Sequence, residues 1–395
     1  MLKKIAALLL SAVVCHAADT SYAFDPDLVL SSPLLFNSAR LFAMSGAGTA
    51  LLEGVQHIYS NPAVPNARNR QDDSANLDIH AAYARDTLFE NLLFPIGMSY
   101  YLEESGTVGL AYRYLKRDEA NYQHEAVFNY SGRLFDKSID QGAVDFGLNV
   151  RYARMKWETH TFEPLPQTYF VWDTASKSYE IDTITLKKTF EGISIGTLNE
   201  HKLIIDVGFY QRDVATNLDF GLTLHNLLGY VWRETSPSVK SFIDTLVYDT
   251  ADTTQPLKHY RDSICYINAT RKASDWLGNR HRLLTVGIAF RTAIIDDNVN
   301  LLIPADVGIM GMFDRDLKIR FTFKAGIEAN FMQHYYVRFG YAASPRLIGR
   351  LDLEDDTTKL NDNIFSGGGG FRMDHFSADV YIGKESFGAA LGVRL

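Results

Sequence analysis

The chain has 395 residues, with 39 basic against 47 acidic side chains and a net charge of −8. No basic stripe is present to neutralise phosphates, which excludes a nucleic-acid partner. Of its two cysteines, Cys15 lies in a leader and only Cys265 remains, which excludes an intrachain disulfide.

At the start of the chain, Lys3 and Lys4 precede the apolar run Ile5 to Val14, and Cys15-His16-Ala17 puts small residues at both cleavage-determining positions. This is the pattern of a secretory signal peptide, so residues 1–17 are expected to be removed. Cys15 by itself would suggest a lipoprotein, but Val14 before it is too large for a good lipobox. After Ala17 no window approaches the roughly 18 uninterrupted apolar residues that a membrane helix requires.

Residues 18–75 lack clean alternation. They carry a run of small residues, Ser45-Gly46-Ala47-Gly48-Thr49-Ala50, and then the turn element Ser60-Asn61-Pro62-Ala63. Asn before Pro initiates a turn, so short helical turns are expected over 41–59 and a loop over 60–75.

From residue 76 onward the period is two. In 143–154 the apolar Val144, Phe146, Leu148, Val150 and Tyr152 alternate with the small or polar Ala143, Asp145, Gly147, Asn149 and Arg151. A strand sends successive side chains to opposite faces, so this run has one greasy and one wet wall. The same reading predicts strands near 76–85, 95–103, 107–116, 143–157, 179–188, 202–211, 217–228, 283–292, 299–311, 317–330, 334–342, 364–373, 375–383 and 386–395. Two-faced strands behind a secretion signal predict an all-β protein, a transmembrane antiparallel β-barrel of about 14 strands spanning 76–395. The 21 Tyr and 24 Phe would supply its interface girdles.

Residues 117–142 are assigned to a loop, because a strand there makes the count odd. With Leu395 at the periplasmic end, 117–142, 229–282 and 343–363 become external and long. Only 158–178 falls on the wrong side. A further hairpin, Thr168–Asp173 against Ser178–Thr185, would account for its length. The strand parity turns Leu148 and Phe220 to lipid and Asn149 and Thr223 to the lumen, so arginine is expected to be tolerated at the second pair alone.

Catalytic signals are absent. His80, His225, His334 and His375 lie on or near strands, but no Gly-x-Ser-x-Gly elbow or similar neighbourhood singles out a serine. Asp296-Asp297 and Asp355-Asp356 are adjacent carboxylates of the kind that stay solvated, and no His/Cys spacing suggests zinc. The chain is therefore not expected to be an enzyme, nor to use a cofactor or metal.

The block Ser38-Ala39-Arg40, Gly46-Ala47-Gly48-Thr49-Ala50 and Tyr59-Ser60-Asn61-Pro62-Ala63 resembles the entry segment of the FadL-type family of outer-membrane transporters, and within it the PorV-like branch. Further echoes are Gly221 to Gly229, Val286 to Arg291, Arg338-Phe339-Gly340-Tyr341 and Gly368-Gly369-Gly370-Phe371-Arg372. Ser45 departs from a usual Gly, Glu53-Gly54-Val55-Gln56 replaces an acidic pair, and the last residue is Leu395 rather than Phe. The resemblance implies a location in the bacterial outer membrane, with outer-membrane lipid as surroundings and a hatch, residues 18–75, inside the barrel. Arg40, Gly46, Gly48, Asn61 and Pro62 are its hatch and ligand-contact candidates, and Asp145 or Glu328 could pair with Arg40. The implied function is passive uptake of hydrophobic small molecules. The alternative is a PorV-like barrel that anchors or hands over secreted proteins at the cell surface, using 229–282.

Overall fold

The structure is a computed structural model that describes residues 38–69, 76–86, 92–116, 121–135, 143–164, 167–173, 178–184, 191–248, 256–268, 271–276, 282–295, 298–310, 320–343, 364–383 and 386–395. The expected signal peptide, residues 18–37 of the expected hatch and both Asp-Asp pairs lie outside the described residues.

Among the described residues there are eighteen strands. The first nine are β1 Leu77–Asp86, β2 Leu92–Tyr101, β3 Thr107–Lys116, β4 Tyr122–Phe135, β5 Val144–Pro164, β6 Gln167–Asp173, β7 Ser178–Ile184, β8 Glu191–Ala215 and β9 Leu218–Tyr248. The rest are β10 Pro256–Asn268, β11 Arg271–Trp276, β12 Leu283–Ile295, β13 Val299–Met310, β14 Arg320–Phe331, β15 Tyr335–Ala343, β16 Ile364–Arg372, β17 Phe376–Gly383 and β18 Ser386–Arg394. Hydrogen-bonded neighbours run β9-β12-β13-β14-β15-β16-β17-β18-β1-β2-β3-β4-β5-β8, and β8 pairs back to β9. The result is a closed antiparallel barrel of 14 strands. Closure gives every wall strand two partners, so no edge is left with unpaired backbone groups.

Contacts divide the chain into two compact units. Unit 1 comprises residues 1–153, 202–231 and 276–395 and holds the ring. Unit 2 comprises 154–201 and 232–275. Within unit 2, β6 pairs β7 as a separate two-stranded sheet with Thr168 opposite Thr183, and β10 pairs the far part of β9.

The strand count agrees with the sequence reading, but two of its assignments are corrected. Residues 122–135 form a ring strand, β4, paired with β3 over 122–131. Residues 178–184 belong to the small β6–β7 hairpin and not to the ring. The two errors cancelled in the total while inverting the sense of every strand between them. The described short connections 102–106, 216–217, 332–334 and 373–375 share one end of the ring.

Unit 1 is greasy outside and charged within. Phe94, Ile96, Leu110, Phe128, Phe323, Phe339, Ile382 and Leu391 are exposed. Asp78, Arg113, Glu125, Asp145, Arg151, Asp206, Asp306, Lys324, Glu328 and Arg338 are buried on the opposite strand parity. In water that distribution would be unstable; in a bilayer it matches the solvent on each side.

Residues 38–69 pack against the inward face of the ring. They contain helix α1 (Ala39–Ala43), a 3-10 turn at Val55–His57 and helix α2 (Val64–Asn69). The last of these forms where a loop was expected. The Asn61 side-chain oxygen accepts the Ala63 N–H at 3.1 Å, and Pro65 sits in the first turn, where a missing N–H costs nothing. That close approach needs bare wall: a Cβ on Gly147 of β5 would come within 2.1 Å of the Pro62 carbonyl.

The parity expectation holds, but the tolerance expectation does not. Leu148 and Phe220 lie on the outward parity and Asn149 and Thr223 are inward and fully buried. However, Asn149 donates to the Ile58 carbonyl at 2.8 Å, and Thr223 donates to the Ser60 carbonyl at 3.0 Å. The inner segment occupies the space an arginine at either position would need, so it would not be accommodated there.

Candidate functional site: the filled lumen

Ser38 caps α1, its hydroxyl accepting the Arg40 N–H at 3.2 Å, and so fixes where the Arg40 side chain leaves the helix. Arg40 then donates through Nε and Nη2 to both oxygens of Glu328 on β14, at 2.7 and 2.6 Å. This fork-to-carboxylate geometry is the strong form of the ion pair. Of the two carboxylates expected for Arg40, Glu328 is the partner; Asp145 takes the side-chain amide of Asn66 at 2.7 Å instead.

Around that pair stands a larger network. Glu53 accepts from Arg40 Nη1 at 3.2 Å and from Arg372 Nη2 at 3.1 Å. Arg338 on β15 reaches Glu328 and Asp379, each at 2.5 Å. Burial pushes the Glu53 carboxyl up, but Arg40, His57 and Arg372 outweigh it and hold it well below the usual carboxylate range. At His57 burial wins over the Glu53 carboxylate 3.1 Å away and lowers its pKa to about 4, so the ring is neutral at pH 7.

A second network lies across β3, β4, β5 and β8. Arg113 meets Glu125 at 2.7 Å, and Arg151 meets Asp206 at 2.6 Å and Asn226 at 2.6 Å. Tyr59 of the inner segment lies under the Arg113 guanidinium, 4.6 Å from centroid to carbon.

The glycine-rich run has a defined partner. Asp306 on β13 accepts the N–H groups of Gly48 and Thr49 at 2.8 and 3.0 Å and the Thr49 hydroxyl at 2.9 Å. Gly46 has φ 81°, a left-handed conformation suited to glycine. A Cβ on Gly48 would fall 2.1 Å from the Leu41 side chain. Ser45, where the resemblance expects Gly, also takes a left-handed φ of 50°, and its hydroxyl lies 2.7 Å from Ser366 on β16.

Asn61 is the tie of the turn. Its Nδ2 donates to the Thr49 and Phe209 carbonyls at 2.8 and 2.9 Å. Pro62 presents its carbonyl to Asn129 Nδ2 at 3.0 Å. Asn61→Ala strands two buried carbonyls, and the expected cost is about 1–3 kcal/mol. A lower temperature of conversion from the fast to the slow form on denaturing gels would report it.

The sequence candidates are thus brought into one connected segment, each against a different part of the wall. Sequence reading missed Glu53, Asp306, Asn129, Ser366 and Asp379. The signal that could have found them is a polar residue on lumen parity, opposite a segment rich in backbone donors and acceptors. His80 and His225 are buried on their strands, whereas His334 and His375 sit in turns. At the short-turn end lies a cavity of about 470 Å³ whose lining includes Glu53, His80, His334, Arg372, His375 and Arg394.

No protein-family model matches the chain, and no curated protein sequence matches it. Solved structures do. The chain is similar to CymD, a monoaromatic hydrocarbon channel, with TM-score 0.51 and 10% identity over 91% of this chain and 96% of that one. It is similar to the P. putida toluene transporter TodX, with TM-score 0.50 and 10% identity over 92% and 99%. A FadL homologue from Pseudomonas aeruginosa gives TM-score 0.50 and 10% identity over 94% and 98%. The structural neighbours are thus FadL-type hydrocarbon channels and transporters, and at this identity the likeness establishes a shared barrel fold.

Proposed function

We propose that the chain is a bacterial outer-membrane barrel for passive uptake of hydrophobic small molecules, with residues 18–75 as a hatch that rearranges to let them through. The observation that carries this reading is the inner segment, held to the wall mainly by ion pairs and single hydrogen bonds. Arg40–Glu328, Thr49–Asp306 and Asn61–Phe209 are polar ties that water can replace one at a time. The small apolar clusters, such as Leu41, Met44, Ala50, Leu51 and Ala289, give the segment a greasy side as well. The fold shared with hydrocarbon channels supports a ligand of that class. The test is uptake of labelled toluene by cells expressing the chain. Faster entry than in cells carrying an unrelated barrel is expected, and equal entry would overturn the proposal.

A second reading rests on unit 2. The 31-residue β9, the 25-residue β8 and the β6–β7 hairpin give residues 154–201 and 232–275 an extended sheet structure that passage of a small molecule does not require. A PorV-like role in anchoring or handing over secreted proteins would use it. Removing 158–197 should then abolish surface retention of a secreted protein while leaving toluene entry unchanged; loss of toluene entry alone would count against this reading.

A further inference from the structure

We propose that the cavity at the short-turn end binds a small hydroxylated monocarboxylate, with the Arg372 guanidinium as its anchor. Glu53, Gly54, Gln56 and Arg68 of the inner segment line it, so the site exists with that segment seated, whatever crosses the barrel. Its volume of about 470 Å³ is in the range that encloses small ligands. Of its 16 lining residues only Met373 and Phe376 carry large apolar side chains, so it offers no bed for an acyl chain or an aromatic hydrocarbon.

Arg372 enters from the end of β16 with its side chain 27% exposed, over the Tyr336 ring at 5.3 Å. Nη2 is bonded to Glu53 at 3.1 Å, while Nε and Nη1 hydrogen-bond no described residue. Its Nη1–H donors and fixed positive charge can hold a carboxylate oxygen. A second group points the same way: His80, 5% exposed, lines the cavity and hydrogen-bonds no described residue.

The turn histidines account for the hydroxyls. His334 and His375 each hold Nδ1 3.1 Å from a backbone carbonyl, of Arg372 and Arg394 respectively. A carbonyl only accepts, so Nδ1 carries the proton and Nε2 remains as an acceptor for a ligand O–H. Charge sets the anion's valence. Glu53, Asp78 and Asp374 stand against Arg68, Arg372 and Arg394 in the lining, so no surplus positive charge is left for a doubly charged phosphate.

Calorimetric titration of the full-length, detergent-solubilised protein with gluconate tests this. A single saturable site is expected, weakened at least about tenfold in Arg372→Gln and partly restored in Arg372→Lys, which keeps the charge. Heat-dependent gel mobility checks that each variant still forms the barrel. Should Arg372→Gln fail to fold, competition on the unaltered protein still decides: gluconate should bind ahead of both hexanoate and inorganic phosphate. Absence of saturable gluconate binding, undiminished binding by folded Arg372→Gln, or tighter binding of hexanoate or phosphate would each overturn the proposal.

Discussion

Deleting residues 38–63 should raise single-channel conductance in planar bilayers well above that of the intact chain while leaving the barrel assembled. The ring begins at Leu77 and closes through β18, with Leu77 and Leu395 exchanging backbone hydrogen bonds at 2.8 Å, so no wall strand depends on the deleted segment. What the segment does supply is volume. A ring of about 14 strands is wide enough to hold an aqueous channel unless something fills it. Its removal also bares Glu328, Asp306, Asn129, Asn149 and Thr223, all of which water can solvate once it enters. A truncated protein that shows heat-dependent gel mobility but no added conductance would show that residues 38–63 do not plug the ring.

Leu148→Arg should sharply reduce the amount of protein inserted, because the side chain faces outward midway along residues 144–153, the part of β5 that belongs to unit 1. The expected penalty is roughly 2–4 kcal/mol at the bilayer midplane. Asn149→Arg, one residue along, should fail for a different reason. It would place a second cation close to Arg151 and force the Ile58 backbone away, so loss there should show as a lower conversion temperature of inserted protein. Extraction yield and gel mobility separate the two. Equal loss of insertion at both positions would show that the wall parity is misread.

The barrel was legible because membrane strands have to announce their two faces one residue at a time. In 143–154 the alternation alone places Leu148 outside and Asn149 inside, and both placements hold. The strand at 122–135 was just as legible. Ala126, Phe128 and Tyr130 alternate with Glu125, Val127 and Asn129, and a rule about even strand number overrode the pattern. The hairpin strands β6 and β7 pair with each other in a separate sheet, and no local pattern distinguishes them from wall strands. The Arg40–Glu328 pair was within reach only as one of two alternatives, because Glu328 and Asp145 share the lumen parity and parity alone does not choose between them. Glu53 was not, because it lies in a segment without periodicity, where nothing local tells which side a carboxylate will face. The contacts of Gly48 and Thr49 are backbone donors, which no side-chain pattern reveals.

The register of the lumen charges bears on how the barrel is assembled. Arg113 stands directly opposite Glu125 between β3 and β4, Asp306 opposite Lys324 between β13 and β14, and Glu328 opposite Arg338 between β14 and β15. Each opposed pair belongs to strands adjacent in sequence, so every such hairpin cancels its own charge before it meets any other. A half-built sheet therefore already balances these six charges, while Arg151 on β5 meets Asp206 only once β8 has joined the wall. By contrast, Arg40 lies 288 residues from Glu328 and can find it only after β14 has been laid down. Contacts that distant in sequence form slowly. The wall is expected to be neutral and nearly complete before its filling arrives, so the inner segment docks last, into a lumen that already tolerates its absence.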